Sequence, residues 1–156
     1  MDLTLKTEDG YFNYRVAAVI VNDGKILAQR NTKTNEYYLM GGRVTFGETS
    51  EEALLREIKE ELKIDITDYG PLWLNECFFL DSGKNFHEIG VYYLLDISKT
   101  SFTHFEDEFE LKEKCRINTY CWLDIDKLDN YELYPEFIKN EINNINDDFK
   151  LIITKE

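Results

Sequence analysis

The hydrophobic residues of this chain recur with two periods, one typical of strands and one typical of helices. Runs rich in Val, Ile and aromatic residues predict strands, because such side chains suit a pleated, half-buried surface. The predicted strands cover residues 14–22, 25–31, 36–40, 71–80, 86–97 and 118–125. The sequences NDG and DSGKN mark turns within this series. Apolar residues at helical spacing predict helices over residues 49–62 and 134–145.

The order of these elements predicts one mixed sheet with helices packed on its faces, an α+β sandwich. No repeat, low-complexity tract or linker divides the 156 residues, so we expect a single domain over residues 1–156. Its core should span residues 14–145, and the C-terminal segment 146–156 should form a last strand or a tail. The acidic stretch 102–115 is predicted to be mostly loop.

The first predicted helix begins with a capping signature and carries an acidic face. Thr49 and Glu52 have the spacing of a capping box. At about 100° per residue, three glutamates share one arc beside the apolar arc that faces the core; they are Glu57, Glu60 and Glu61. Such like charges repel by a few tenths of a kcal/mol per pair. The face is either an exposed acidic surface or a site for Mg²⁺ or Mn²⁺, which bind clustered oxygen ligands.

Net charge limits the classes of binding partner, and cysteine content predicts the cellular compartment. The formal net charge of -13 disfavours long nucleic acids and anionic membranes, which need a cationic face. A small anion could bind together with a cation. No apolar run reaches the roughly 18 residues of a membrane span, and residues 1–10 lack a signal-peptide core. Cys77, Cys115 and Cys121 lack metal-type spacing, which predicts free thiols in a reducing cytoplasm.

Residues 42–64 resemble the Nudix box. The fixed positions of that motif are matched by Gly42, Glu48, Arg56, Glu57, Glu60 and Glu61, with apolar Ile58 and Ile64 in register. One position departs from the motif, because Lys63 stands where the box has a second glycine. The flanking sequences VAAVIV and CWLDIDKL also resemble the family, so the similarity spans roughly residues 14–128.

This resemblance implies an α/β/α sandwich with a curved, mixed sheet between helices. It also implies a pyrophosphohydrolase that cleaves a nucleoside diphosphate linked to another group. Mg²⁺ or Mn²⁺ would be held by Glu57, Glu60, Glu61 and the backbone carbonyl of Gly41. Arg56 and Glu48, by the same resemblance, orient these carboxylates. A glycine pair would allow the backbone to approach the metal closely.

Several roles are left open between alternatives. The general base is Glu57 or a glutamate of the acidic stretch, namely Glu106, Glu108 or Glu110. Arg43 and Arg30 are the candidates for phosphate contact. Adjacent residues of a strand point to opposite faces, so only one residue of each of two pairs can face a cleft; the pairs are Tyr37 with Tyr38 and His87 with Glu88. Trp122 is expected to pack in the core.

The expected substrate is a small nucleotide such as ADP-ribose or a nucleoside triphosphate. One alternative is a Nudix-fold sensor that binds a nucleotide without cleaving it. Another is a related isomerase acting on an isoprenoid diphosphate, which needs a catalytic cysteine in the site. The assembly is left open, with a homodimer among the options.

Overall fold

The computed structural model describes residues 1–146 and 148–156. Within them lie two α-helices, α1 (Ser50–Leu62) and α2 (Phe137–Glu141), and 3₁₀ turns at Ile125–Asn130 and Ile142–Asn144. The strands are β1 (Thr4–Lys6), β2 (Tyr11–Asn22), β3 (Lys25–Arg30), β4 (Glu36–Tyr38), β5 (Gly41–Arg43), β6 (Tyr69–Asp81), β7 (Lys84–Leu95), β8 (Glu108–Glu113), β9 (Arg116–Asp124), β10 (Glu132–Tyr134) and β11 (Lys150–Lys155).

The described strands form one mixed, curved sheet whose main path runs β10-β4-β3-β2-β7-β6-β11. β2 lies at its centre. It pairs in parallel with β7 over ten residues, and antiparallel with β3 and β5. The pairing with β5 places Ala17 opposite Gly41 and Val16 opposite Gly42. The glycine pair is therefore fixed against the middle of the sheet.

Hydrophobic cores cover both faces of the sheet, so the predicted α+β sandwich is confirmed. Along β2, Val16, Ala18 and Ile20 belong to the core under α1, whereas Ala17 and Val19 belong to the core under α2. This alternation follows from the two-residue period of a strand. Each fully buried Leu or Ile of α1 contributes about 1.5–3 kcal/mol of hydrophobic free energy; these residues are Leu54, Ile58 and Leu62.

The predicted strands are confirmed, but the acidic stretch 102–115 contains one more. The prediction that this stretch is mostly loop is wrong over β8, which pairs along its whole length, antiparallel, with residues 116–121 of β9. Phe109 and Glu113 are buried there, while Glu108 and Glu110 are exposed. This is the two-residue alternation of a half-buried strand, and the high charge of the segment hid it.

The C-terminal part also differs from the prediction. The helix predicted over 134–145 is shorter, because Tyr134 ends β10, which pairs in parallel with β4. Within the segment 146–156, Lys150–Lys155 form β11, parallel to β6, and Asp147 lies outside the described residues. Across the described ranges, no helix has the length and hydropathy needed to span a bilayer.

Helix α1 begins at the predicted capping box. Thr49 Oγ1 accepts a hydrogen bond from the Glu52 N–H at 3.1 Å, and Glu52 Oε2 accepts one from the Thr49 N–H at 2.8 Å. The helix ends at Lys63, whose φ of 61° and ψ of 26° are left-handed. Lys63 Nζ also donates to the Glu60 carbonyl at 2.5 Å. The chain thus makes the turn that the Nudix box usually makes with glycine.

Replacing Lys63 with Gly should raise the free energy of unfolding by about 0.5 kcal/mol. A left-handed residue with a Cβ costs about 1 kcal/mol or more, and the lysine recovers about 0.3–1 kcal/mol at the helix C-terminus. Urea unfolding of both proteins measures the difference. Lys63→Ala is the control, because it keeps the backbone strain, loses the ammonium group and should be less stable than wild type. A lower midpoint for Lys63→Gly would contradict this balance.

Candidate active site

The glycine pair brings the backbone of β5 against helix α1 and strand β2. A Cβ on Gly42 would lie 2.3 Å from Glu57 Oε1. A Cβ on Gly41 would lie 2.0 Å from the Val16 carbonyl oxygen, and Gly41 has a φ of 149°. Both distances are far below van der Waals contact, so neither position has room for a side chain. The glycines therefore set how closely the Glu57 carboxylate approaches the backbone.

Arg56 ties helix α1 to the segment that precedes it. Its Nε and Nη2 donate to the two carboxylate oxygens of Glu48 at 2.8 and 3.0 Å, and its Nη1 donates to Glu57 Oε1 at 2.6 Å. Glu48 also accepts hydrogen bonds from the N–H and hydroxyl of Thr45. The bond from Arg56, joined by those from Thr45, lowers the pKa of Glu48 to about 2. This network fixes the position of the Glu57 carboxylate.

The acid stability of the fold should depend on Glu48. Its lowered pKa means that Glu48 stabilises the fold above its unfolded pKa near 4.5, and that this stability is lost as the pH falls towards about 2. Glu48→Gln should therefore be less stable than wild type at pH 7, and the difference should shrink at pH 3. Urea unfolding at both pH values measures it. A difference that does not change with pH would contradict an ionised Glu48.

Two carboxylates of α1 lie close to this network, one partly buried and one buried. The Glu57 side chain is 13% exposed and Glu61 is 7% exposed. Burial raises the pKa of Glu57, against the opposing effect of Arg56. Burial, together with the charges of Glu57 and Glu113, raises the pKa of Glu61 to about 8. The Gly41 N–H, at 3.2 Å from Glu61 Oε2, only partly offsets this.

Glu60 lies at the rim of the site, with one carboxylate oxygen 3.9 Å from Arg56 Nη1. Within residues 1–146 and 148–156, no three Asp, Glu, His or Cys side chains are already grouped as they would be around a metal ion. The chemistry of the donors nevertheless fits a hard divalent cation. Carboxylates that are buried together raise each other's pKa, and a cation removes that penalty.

Glu113 is a site residue that the sequence analysis missed. It lies at the end of β8, is 8% exposed, and accepts a hydrogen bond from Asn118 Nδ2 at 2.8 Å. Its charge acts on both Glu57 and Glu61, so it lies near the buried end of the carboxylate face. The signal was the alternation of Phe109, Leu111 and Glu113, which places a glutamate on the inward face of a strand.

The rival glutamates of the acidic stretch are exposed. Glu106 is exposed, and its carboxylate lies 3.5 Å from His104 Nδ1. Glu108 pairs with Arg30. Glu108 and Glu110 are exposed on the face of β8 opposite Glu113.

The two predicted phosphate-binding arginines do not line the cavity next to the glycine pair. Arg30 is engaged by Glu108 and also donates to Asn35 Oδ1 at 3.3 Å. Arg43 is exposed, with Nη1 3.9 Å from Asp2. The cavity instead contains Arg15 of β2, which the sequence analysis did not single out.

This cavity has a volume of about 510 Å³ and lies on the α2 side of the sheet. Its lining includes Arg15 and Ala17 of β2, and Ala17 pairs with Gly41, so the cavity begins beside the glycine pair. Tyr38 and Tyr134 also line it, with ring centroids 6.1 Å apart. The volume is in the range of small-molecule binding sites.

The two pairs of adjacent residues separate between faces as strand geometry requires. Tyr38 lines the cavity, whereas Tyr37 packs edge-to-face on Tyr131. Glu88 lines the cavity, whereas His87 lies 3.0 Å from Glu76 on the other face of the sheet.

Burial works against thiolate formation at two of the three cysteines, Cys77 and Cys121. All three are free; Cys77 and Cys121 are buried, and Cys115 is exposed. Cys77 lines the cavity, but burial raises the pKa of its thiol, so it is not a thiolate at neutral pH. The isomerase alternative therefore gains no support from this cavity. Trp122 is buried in the core as predicted.

Comparison with known proteins agrees with the box and the fold. The profile of the NUDIX domain matches residues 12–141. The chain is similar to the MutT NUDIX hydrolase of Burkholderia pseudomallei, with 27% identity over 74% of this chain and 84% of that one, and a TM-score of 0.55. A MutT protein of Bacillus halodurans is 13% identical with a TM-score of 0.67, covers 92% of this chain and 88% of its own, and shows the fold alone.

A CTP pyrophosphohydrolase of Escherichia coli (strain K12) is 45% identical over 56 residues. That match covers 33% of this chain and 42% of the relative, so the chain spans less than half of that protein's length. The profile match, in contrast, covers most of the chain. The chain belongs to the Nudix hydrolase family.

Proposed function

We propose that this protein is a Mg²⁺- or Mn²⁺-dependent pyrophosphohydrolase that cleaves a nucleoside diphosphate linked to another group. The observation that carries the proposal is the position of the buried Glu61 and the partly buried Glu57 beside a glycine pair, next to a cavity large enough for a nucleoside. Similarity to a CTP pyrophosphohydrolase favours a nucleoside triphosphate over ADP-ribose as the substrate.

The carboxylates of α1 and the glycine pair would hold the cation. Glu57, Glu60, Glu61 and the carbonyl of Gly41 are its ligands in this proposal, with Glu113 beside them. When bound, a divalent cation neutralises phosphate charge and lowers the pKa of a bound water. Arg56 and Glu48 act as positioning residues, because their hydrogen bonds hold Glu57 in place.

Glu57 is the general base in this proposal. It accepts a proton from the water that attacks phosphorus, while the bond from phosphorus to the departing phosphate oxygen breaks. The support is positional, because Glu57 is held by Arg56 beside Gly42. Glu108, in contrast, is engaged by Arg30.

The cavity would hold the nucleoside, and Arg15 would attract its phosphates. Arg15 makes no ion pair within 4.0 Å in the described part of the chain, so its charge is free in a protein of net charge -13. That net charge supports a small nucleotide rather than a long nucleic acid as the partner. The three free cysteines fit a protein of the reducing cytoplasm.

A nucleotide panel with product analysis tests the proposal. Nucleoside triphosphates and ADP-ribose are incubated with Mg²⁺, Mn²⁺ or EDTA, and the products are separated chromatographically. We expect metal-dependent formation of a nucleoside monophosphate. Nucleotide binding without turnover under every metal condition would instead identify a sensor.

Glu57→Gln separates binding from chemistry. Turnover should fall by at least about 100-fold, with nucleotide affinity within about tenfold of wild type, if Glu57 acts mainly in the transition state. Glu108→Gln and Glu110→Gln carry the same charge change on β8 and serve as controls. If one of these variants loses turnover while Glu57→Gln does not, the base lies on β8.

A further inference from the structure

The floor of the cavity carries buried polar groups on the central strands of the sheet. The parallel pairing of β2 with β7 puts Asn13 opposite Glu88, and the pairing of β6 with β7 puts Cys77 opposite Glu88. Residues directly opposite share one face of a sheet. Asn13 is 4% exposed and Glu88 is 8% exposed. Burying such groups costs free energy unless they find hydrogen-bond partners.

Protein groups satisfy Glu88 only weakly. Among the described residues, its one side-chain hydrogen bond comes from Asn13 Nδ2 at 3.4 Å, which is long. Asn13 Oδ1 is buried without any partner in that same part of the chain. Arg15, two residues along β2 and on the same face, makes no ion pair with Glu88 within 4.0 Å. The Glu88 carboxylate therefore faces the cavity with lone pairs that accept no hydrogen bond from the described protein groups.

Glu88 lies farther along the cavity floor than the strand residues beside the glycine pair, and Phe79, Leu80 and Asp81 of β6 line the cavity beyond it. Gly41 pairs with Ala17, which in turn pairs with Tyr92 of β7. Four residues of strand separate Tyr92 from Glu88, which is about 13 Å at 3.3 Å per residue. Arg15, which pairs with Gly90, lies between the Ala17–Tyr92 pair and the Asn13–Glu88 pair. A nucleotide whose phosphates lie at the glycine pair would thus extend its base past Arg15 towards Glu88.

The walls near Glu88 suit a flat ring. Gly90, which pairs with Arg15, has no side chain, and a Cβ there would lie 3.0 Å from the Tyr92 ring. Tyr38 and Tyr134 stand with ring planes inclined by 32° at the cavity lining. Aromatic side chains of this kind stack on bases of any sequence, so they supply affinity rather than selection.

We propose that Glu88 selects the base of the substrate and that it favours guanine; this inference rests on the proposed function of the same site. A carboxylate offers two acceptor oxygens and no donor. Guanine alone among the common bases presents two adjacent N–H donors, at N1 and at the 2-amino group. Adenine and cytosine set a ring-nitrogen lone pair beside their amino group, which repels a carboxylate. Uracil offers one N–H between two carbonyls.

Hydrolysis of GTP, ATP, CTP and UTP by wild type and by Glu88→Gln tests this selection. We expect wild type to prefer GTP over ATP by at least about tenfold in kcat/KM, since a buried polar site rejects bases that leave it unpaired. Glu88→Gln should lower kcat/KM for GTP by at least about tenfold and change the other three by less than about threefold. The matched control is Glu76→Gln, which changes a carboxylate on the opposite face of β6 and should leave the preference intact.

Two results would overturn the inference: an equal loss for all four nucleotides, or a wild-type preference for another base. A preference for CTP that depends on Glu88 is one such result, because it would mean that the carboxylate reads a single amino group.

Binding makes the test independent of the proposed chemistry. Calorimetry with the α,β-methylene analogues of GTP and ATP measures base selection even if no nucleotide is cleaved. Selective binding of the guanine analogue that Glu88→Gln abolishes would support base selection by Glu88. It would do so even if the proposed hydrolysis were not observed. Equal binding of both analogues would refute it. If Glu88→Gln does not fold, Glu88→Asp keeps the charge and shortens the side chain, and it should weaken guanine binding selectively.

Discussion

Replacing Glu61 with Gln should lower turnover of the best nucleotide substrate by at least about 100-fold, as expected when charge stabilisation of a transition state is lost. Glu61 is buried, and its only hydrogen bond from the described part of the protein is the one donated by Gly41. The variant removes a carboxylate that would be ionised once the proposed cation is bound. Glu60→Gln should have a similar effect from the rim.

The fold should survive this change. A glutamine carbonyl can accept the same Gly41 hydrogen bond, and a neutral amide suits the buried position, where burial and neighbouring charges raise the pKa of Glu61 to about 8. Circular dichroism and thermal unfolding check this point beside the assay. The control is Glu110→Gln, which removes an exposed charge from β8. If Glu60→Gln and Glu61→Gln both turn over substrate at the wild-type rate, α1 is not the metal site.

Replacing Gly42 with Ala should lower activity by at least about tenfold and leave the protein folded. The added Cβ would meet the end of the Glu57 side chain, with Oε1 at 2.3 Å. That end is flexible, so we expect the Glu57 carboxylate to move away and the backbone to keep its conformation. A small displacement of a catalytic group costs much activity. Steady-state kinetics and a thermal melt measure the two effects separately.

Gly41→Ala is the informative counterpart. Its Cβ would meet the backbone of β2, with the Val16 carbonyl oxygen at 2.0 Å, at a φ of 149°. Backbone cannot swing aside, so this variant should lose about 1–3 kcal/mol of stability or more. The two variants are thus expected to differ: Gly42→Ala should lose activity, and Gly41→Ala should lose stability. Wild-type activity in Gly42→Ala would show that the position of Glu57 is not critical.

The parts of the fold that could be predicted from the sequence are those set by local signals. The capping box of Thr49 and Glu52 and the helical period of the leucines define α1 within a few residues. Alternation along a strand correctly separated Tyr37 from Tyr38 and His87 from Glu88. Each of these depends only on neighbours in the chain.

The parts that could not be predicted depend on pairing between distant segments. Arg15 and Glu88 lie on one cavity floor only because β2 pairs in parallel with β7, some 75 residues away in sequence. Glu113 reaches the site because β8 folds back on β9. Arg30 has a suitable position in the sequence, but Glu108 neutralises it across the sheet. Charge alone therefore identified the helix of the site but not the residues that complete it.

Binding of Mn²⁺ to the protein, measured by water-proton relaxation without nucleotide, tests the central claim most directly. The account predicts that wild type and Glu110→Gln bind Mn²⁺ alike, that Mg²⁺ competes for the site, and that Glu61→Gln binds at least about tenfold more weakly. Equal affinity of Glu61→Gln and wild type would contradict a metal site on α1.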